Sequence, residues 1–402
     1  MIIGLDASRA NVAERTGTEH YAFEVLRRLP ALLPAQRFVC YMRESPRADL
    51  QKLGPNVSYR VLSWPPGILW SHLRLSWELL WHRPDVLFVP ADTVPLIHPR
   101  RTYTTIHDVA FERWPELYRG ASVQRRLTWL RPIVHAAVRL FTAGRYSASE
   151  RDYHRWSARH ALRASRLIFT VSEFSKREII DTLQAQPDRI MVTPLGVNQP
   201  EVYQQLSSVD VSRTLKNLSL EHPFFLFIGR LESKKNISLL LKSFILFCHT
   251  TTTDVDLVLA GRPGYGWDEA QKMITGSHLG SRIHLVGWQP EESIRILQKS
   301  ARAFVFLSRY EGFGLPPLES LSAGVPVLAS AAGSLPEVLG QAALIESSQD
   351  PAVIAQGFWT IAEDQTVRRQ LIQRGLEWVH QYTWDRTARL TAQILERPDL
   401  QN

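Results

Sequence analysis

Cysteine is almost absent from this chain of 402 residues, which carries two, Cys40 and Cys248. They lie in separate apolar segments without metal-ligand or redox spacing, so neither a disulfide framework nor a cysteine-based metal site is expected. Long hydrophobic runs are missing too: no stretch approaches the roughly 20 apolar residues that cross a bilayer. The opening segment 1–8 reads as a short apolar strand ended by an acid, without the basic start and long apolar core of a secretory signal. A reducing, cytoplasmic setting with buried free thiols is the expectation. Lysine is missing between Arg119 and Arg166, where eleven arginines stand against two acids, Glu150 and Asp152.

That segment's surplus of positive charge exceeds the +8 of the whole chain, so the remainder is slightly acidic. A localised arginine field points to anionic partners such as lipid headgroups or phosphates. Nucleic acid fits poorly, because no stacking platform or reader motif accompanies the arginines.

Short strand-like runs alternate with helical patterns, which argues for βαβ units and parallel sheets. The first series has strands near 2–6, 38–42, 58–62, 86–89, 102–106 and 167–171, and helical stretches that include 19–29 and 69–81. Residues 198–222 are polar and irregular and read as an interdomain connection. A second series follows, with strands near 224–228, 255–260, 282–286, 303–307 and 327–329. The expected fold class is α/β, with two Rossmann-like doubly wound domains, 1–200 and 201–383, facing across a cleft. A last helix, about 386–395 within 384–402, lies beyond both series and can pack on either domain, a return to the first being one of the two options.

Residues 311–319 are the most informative stretch: Glu-Gly-Phe-Gly-Leu-Pro-Pro-Leu-Glu. A sharp turn is expected at Gly312 and Gly314, and the prolines at 316 and 317 fit the opening of a helix. Strand, glycine turn and helix start together offer free N–H groups to an anion, with Glu311 and Glu319 on either side. That suits a phosphorylated sugar, although a plain βα loop would look the same in isolation. After the strand at 224–228, Arg230 stands at the carboxyl end and Lys235 at the next helix entrance, suited to neutralising a leaving diphosphate. In open α/β sheets, ligands bind at such carboxyl ends. His107, with Asp108 beside it, ends a strand of the first series and can meet a sugar hydroxyl. Gly17, just before a helix, can bring backbone amides to a phosphate. Ser172 reads as an N-cap. Ser334 and Glu337 match a capping box, which commits Glu337 to the backbone. The turn Gly261-Arg262-Pro263-Gly264 has no assigned task.

With these pieces in order, the chain resembles the retaining glycosyltransferases of family four, which have the two-domain GT-B fold. The resemblance rests on Gly229-Arg230-Leu231 with Lys235-Asn236, Gly261-Arg262-Pro263-Gly264, Val286-Gly287-Trp288, the 311–319 stretch, Ala323-Gly324-Val325-Pro326-Val327 and Leu335-Pro336-Glu337-Val338. The first half matches more loosely, through Thr105–Asp108, Val171–Lys176 and Thr193–Val197. The resemblance implies that Arg230 and Lys235 hold the donor diphosphate and Glu319 the ribose hydroxyls. Glu311 would contact the donor sugar, with Gly312 and the amides of Phe313, Gly314 and Leu315 around sugar and phosphate. His107 would meet the sugar's distal hydroxyl, and Gly17 would lie near donor and acceptor. Family members commonly carry two adjacent glycines there, whereas Thr18 follows Gly17 here. The resemblance, in flavour to bacterial mannosyl- and rhamnosyl-type transferases of surface polysaccharide assembly, further implies a nucleotide-sugar donor, with mannose from a guanosine donor the best guess, and a saccharide acceptor. That the acceptor is lipid-linked is an expectation from the arginine and tryptophan segments. No cofactor or metal is expected, since arginine and lysine can replace a divalent cation at the diphosphate and no Asp-x-Asp stands in an expected cleft loop. A sugar-nucleotide epimerase and a non-catalytic scaffold subunit are the alternatives. The Glu–Glu loop speaks against the first and the intact basic and acidic set against the second.

Arg151, Arg155, Arg159 and Arg163 recur every four residues and share one helix face, where like charges need outside compensation. An anionic membrane surface at the cytoplasmic face is one candidate, with Tyr146, Tyr153 and Trp156 as interfacial aromatics, and a solvated face is the other. Trp64, Trp70, Trp77 and Trp81 form a stripe that reads more readily as core than as membrane anchor.

Overall fold

The computed structural model describes residues 1–64, 69–118 and 149–397. They form two compact units: Met1–Pro194 together with the stretch from Trp384 onward, and Leu195–Thr383. In the first unit, β1 (Ile2–Asp6), β2 (Arg37–Met42), β3 (Val57–Val61), β4 (Val86–Val89), β5 (Thr102–Thr105), β6 (Leu167–Thr170) and β7 (Ile190–Val192) build one sheet. Its order is β3-β2-β1-β4-β5-β6-β7, and every pairing is parallel. β4 is buried throughout and correspondingly reads Val-Leu-Phe-Val without alternation. β5 is Thr-Tyr-Thr-Thr and equally buried, which is tolerable because its hydroxyls find carbonyls: Thr102 Oγ1 donates to Pro99 O at 2.7 Å and Thr104 Oγ1 to Ala91 O at 2.5 Å.

The helix Trp384–Glu396 returns to this unit and packs on the helix Gly17–Leu32. His20 meets Trp384 edge-on at 5.3 Å, and Arg28 Nε donates to Asp385 Oδ1 at 2.6 Å.

The second unit holds β8 (Phe224–Ile228), β9 (Asp256–Ala260), β10 (Ile283–Gly287), β11 (Ala303–Phe306), β12 (Val327–Ser330) and β13 (Leu344–Glu346), all parallel in the order β10-β9-β8-β11-β12-β13. Phe225, Phe244, Phe247 and Phe358 cluster against this sheet, with Phe225 and Phe358 centroids 4.7 Å apart. Both strand orders reverse direction of winding once, between β1 and β4 and between β8 and β11. Ligand crevices of doubly wound sheets open at the carboxyl ends beside such reversals.

Four details differ from expectation. The 198–222 stretch is no bare connection: it folds as helices Pro200–Gln204 and Ser208–Asn217 within the second unit, the latter capped by Ser207, which accepts from Val209 N at 3.2 Å. Its polar residues are exposed helix faces. β7 and β13, three residues each, lie at sheet edges and carry too little pattern to declare themselves. The 69–81 helix opens as a π-helical turn, Ser71–Leu75, before becoming α-helical over Ser76–Trp81. Finally, the charge compensation for the arginine face lies inside the fold. Arg155 Nε is 2.8 Å from Glu112 Oε1, while Arg151 and Arg159 each come within 3.9 Å of the same carboxylate. Arg163 stays exposed, and Tyr146 lies outside the described residues. No helix of the described residues is long and apolar enough to cross a membrane.

Candidate active site

At the reversal point of the second sheet, the loops after β8 and β11 carry the two charged residues that the sequence singled out. Lys235 Nζ donates to Glu311 Oε1 at 2.5 Å, with both side chains largely buried. The ammonium also lies 4.9 Å from the centre of the Phe306 ring. Each group fixes the other, so a cation and a carboxylate stand preset at the sheet's carboxyl edge. Arg230 is the opposite case: its side chain is 63% exposed, with Glu232 Oε2 at 3.5 Å. Its guanidinium is therefore open to solvent, where an anion can reach it.

The turn 261–264, to which the sequence assigned no task, braces this loop. Leu231 N donates to Arg262 O at 2.9 Å, Gly264 N to Leu231 O at 2.8 Å, and Ser233 N to Tyr265 O at 2.9 Å. The two loops come so close that a Cβ on Gly261, whose φ is +157, would lie 1.8 Å from the Gly229 carbonyl oxygen.

The Glu311 loop turns at one glycine, not two. Gly314 adopts φ +100 just before the helix Leu315–Ser322, and a Cβ there would meet Leu335 at 2.6 Å; Gly312 is not left-handed. Pro316 and Pro317 remove two N–H groups from the first turn, so the donors this turn can offer are the amides of Phe313, Gly314 and Leu315. Ser334 corrects the capping-box expectation: its hydroxyl makes no cap to the helix Leu335–Leu339. It is buried and donates instead to Glu311 O at 3.1 Å and Phe313 O at 2.9 Å, while Ser334 N reaches Glu311 O at 3.1 Å. Beside it, Gly333 has φ +62, and a Cβ there would lie 2.4 Å from Glu311 O. Gly333 and Ser334 thus hold the loop in shape. The glycine immediately before the serine was the available signal.

Glu319 sits one turn along the same helix. Its Oε2 accepts from Gln298 Nε2 at 3.1 Å, and Gln298 Oε1 accepts from Tyr203 OH at 3.1 Å. Burial pushes its carboxyl up to about 7; the Gln298 N–H opposes the shift and Glu291 adds to it.

In the first unit, His107 follows β5 with Nε2 3.3 Å from Pro90 O. A carbonyl only accepts, so Nε2 carries the proton and Nδ1 keeps a lone pair. Burial holds the imidazole below its ordinary pKa and therefore neutral. Tyr21 meets it edge-on at 4.9 Å and shares a 2.9 Å hydrogen bond with Thr105 Oγ1. Asp108 is taken up locally, accepting from Ala110 N at 3.0 Å. Gly17 opens the helix Gly17–Leu32 and is exposed. Ser172 is the N-cap expected, accepting from Ser175 N at 3.0 Å.

The sequence reading passed over a polar group at this sheet's reversal point. Asp6, at the end of β1, accepts from Ser71 Oγ at 2.8 Å. His72 uses Nδ1 against Val94 O at 2.8 Å and Nε2 against Tyr153 OH at 3.3 Å. The literal Asp254-Val255-Asp256 stands elsewhere, at the amino end of β9 and away from the loops just described. His222 joins it there, and Arg282 lies within 3.9 Å of both carboxylates.

Two family models match the chain: Glycosyltransferase Family 4 over residues 15–199 and Glycosyl transferases group 1 over residues 211–378. The chain is 32% identical over 294 residues to an O-antigen chain mannosyltransferase B of Escherichia coli, a match spanning 72% of this chain and 75% of the relative. It is 27% identical over 232 residues to the serotype-specific mannosyltransferase WbdA of Escherichia coli, where the match spans 57% of this chain and 28% of that longer protein. Among solved structures, Anabaena HepE in complex with UDP-glucose superposes with a TM-score of 0.68 at 17% identity, covering 98% of each chain. WaaG, a glycosyltransferase of lipopolysaccharide biosynthesis, does so with a TM-score of 0.69 at 11% identity, covering 98% of this chain and 100% of that one. The fold and the sequence relationship agree: this chain belongs to the family 4 glycosyltransferases and has their GT-B architecture.

Proposed function

We propose that the chain transfers a mannosyl residue from GDP-mannose to a lipid-linked saccharide, with retention of anomeric configuration and without a metal, in the assembly of an O-antigen-type polysaccharide. The Escherichia coli relatives named as mannosyltransferases support the sugar and the polymer. The observation that carries the reaction is the Lys235–Glu311 pair at the reversal point of the second sheet. As the bond from C1 to the diphosphate oxygen breaks, negative charge grows on the leaving group. Lys235, Arg230 and the amides of Phe313, Gly314 and Leu315 are the groups to meet it, and stabilisation confined to that moment raises kcat. The acceptor oxygen bonds to C1 from the face the diphosphate leaves, and the departing phosphate takes the acceptor's proton. Glu311, tied to Lys235, orients the sugar and is no nucleophile. Nδ1 of His107 accepts from a sugar hydroxyl, and Gly17 presents amides near donor and acceptor. A lipid-linked acceptor implies work at the cytoplasmic face of the inner membrane.

Purified chain incubated with GDP-mannose and an oligomannose acceptor should yield an α-linked product, at a rate that excess EDTA leaves unchanged. A β-linked product, or a rate abolished by EDTA and restored by manganese, contradicts the reading.

Glu319 adds a pH test. Ionised, it can accept from both ribose hydroxyls; protonated, it cannot. With the carboxyl at about 7, GDP affinity should fall several-fold as the pH drops from about 8 to about 6, and Glu319→Gln should bind weakly with a flat profile. Titration calorimetry reads both. Stability runs the other way: a carboxyl raised from 4.5 in the unfolded chain favours the fold below that value, and the gain is lost as the pH rises through 7. Glu319→Gln should therefore raise Tm more at pH ~8 than at pH ~4.

A further inference from the structure

The segment from Leu69 to Trp81 is apolar on both sides. Its inner face is core: Trp70, Leu75 and Leu79 pack with Leu62, Leu87 and Val89, and Trp70 Nε1 donates to Leu62 O at 2.7 Å. Its outer face is also apolar yet faces solvent. Leu69, Leu73, Trp77, Leu80 and Trp81 are all exposed, Trp77 by 63% and Trp81 by 73%. Spacing of three and four residues puts Leu73, Trp77, Leu80 and Trp81 on one stripe, and Leu69 stands just ahead of the helix. A surface helix ordinarily turns one apolar stripe to the core and a polar face to water. This one, with Ser71, His72, Arg74, Ser76 and Glu78 between them, carries a second apolar stripe outward. The outer face of this one therefore asks for a partner.

Charge and size say which. The single acid between residues 69 and 83, Glu78, is already held by Arg60, by Arg74 Nη1 at 3.5 Å and by His82 Nδ1 at 3.0 Å. Those groups and the exposed Arg83 outnumber Glu78 and leave this rim net positive; the next acid, Asp85, is exposed and accepts from Ile2 N at 2.6 Å. The five side chains expose on the order of 500 Å². That is more than incidental, but less than the roughly 800 Å² each partner buries in a stable dimer. Two indoles among leucines, rimmed by cations, match the headgroup boundary of an anionic bilayer, where Trp settles with its N–H toward water.

We propose that the Leu69–Trp81 stripe is the surface by which this protein lies on an anionic lipid bilayer. This names the contact for the membrane partner proposed above and rests on that reading. It also moves the contact away from the arginine helix, three of whose four arginines face Glu112. The hydrophobic stripe would enter the boundary while Arg60, Arg74 and Arg83 meet headgroup phosphates.

The test compares the full chain with Trp77→Ser/Trp81→Ser, whose two side chains leave no core position empty. Both are sedimented with phosphatidylcholine vesicles, with and without phosphatidylglycerol. Transfer to a water-soluble oligomannose acceptor and Tm are measured in parallel. Wild type should sediment with the phosphatidylglycerol vesicles, less so at high salt. The double variant should partition at least ~10-fold more weakly at equal Tm and equal soluble transfer. Wild-type sedimentation by the double variant overturns the proposal, as does a wild type that ignores both vesicles while transferring normally. So does a wild-type dimer, seen by sedimentation velocity, that the double variant dissolves, since the stripe would then hold a second copy. Vesicle binding lost in the variant, with no sugar transfer by either protein from any donor, upholds the surface and defeats the enzymatic reading instead.

Discussion

Lys235→Ala is expected to lower kcat by about a thousandfold, with the chain still folded. Removing one preorganised charge donor from a developing oxyanion costs roughly 3–4 kcal/mol of transition-state stabilisation. Lys235 is placed for that part by its position at the carboxyl edge and by the 2.5 Å bond to Glu311. The truncation also strips a buried carboxylate of its counter-charge, so part of any loss could come through a displaced Glu311. Lys235→Ala/Glu311→Gln separates the two effects. If Lys235 acts on the leaving group, the double variant stays as slow as the single one; if it only positions Glu311, the double variant behaves like Glu311→Gln alone. Arg230→Ala offers a cleaner companion, because its side chain is mostly in solvent and its removal strips no buried carboxylate of its counter-charge. Near-normal turnover in both Lys235→Ala and Arg230→Ala would remove the diphosphate assignment.

Gly261→Ala should disable the protein through its backbone. The added methyl would stand 1.8 Å from Gly229 O, and a backbone atom cannot step aside as a side chain can. Either the loop after β8 or the one after β9 must move. The expected cost is about 2–4 kcal/mol in stability. A donor affinity reduced tenfold or more should accompany it, because the displaced loop carries Arg230 and Lys235. Gly276→Ala is the control: nothing lies within 4 Å of its added Cβ, and alanine is the better helix former by roughly 1 kcal/mol. Unfolding midpoints and GDP calorimetry on both variants distinguish a bracing turn from a passive one.

Strands buried on both faces, such as Val86–Val89 and Phe224–Ile228, declared themselves through unbroken apolar runs, and the two doubly wound sheets followed from their alternation with helices. Three-residue edge strands did not, since Leu344–Glu346 repeats no period. In the site, Lys235 and Glu311 were legible one by one, but their mutual bond spans 76 positions and no local rule brings them together. Ser334 misled for a related reason. Serine three residues before an acid is a capping signal, yet the hydroxyl went to two carbonyls of a loop more than twenty positions earlier. The arginine face asked correctly for a compensating charge. Its supplier, Glu112, precedes that helix by some forty residues and gave no sign of it. The tryptophans split for want of depth information: periodicity put Trp70 and Trp77 on a helix, and only packing showed one in the core and the other in water.

The helix Trp384–Glu396 buries Trp384, Ala388, Ala392, Ile394 and Leu395 and bonds Asp385 to Arg28, within a unit whose other residues end at Pro194. During vectorial synthesis the ribosome must therefore deliver the entire second unit before the first can be closed. Domains made from continuous chain fold as they emerge, N-terminal first. Here the earlier unit waits for the later one, with the face of the Gly17–Leu32 helix that Trp384–Glu396 covers exposed meanwhile. A stop codon just before Trp384 would spare every residue of the loops after β8, β9 and β11 and still leave the opposite end of the polypeptide unfinished.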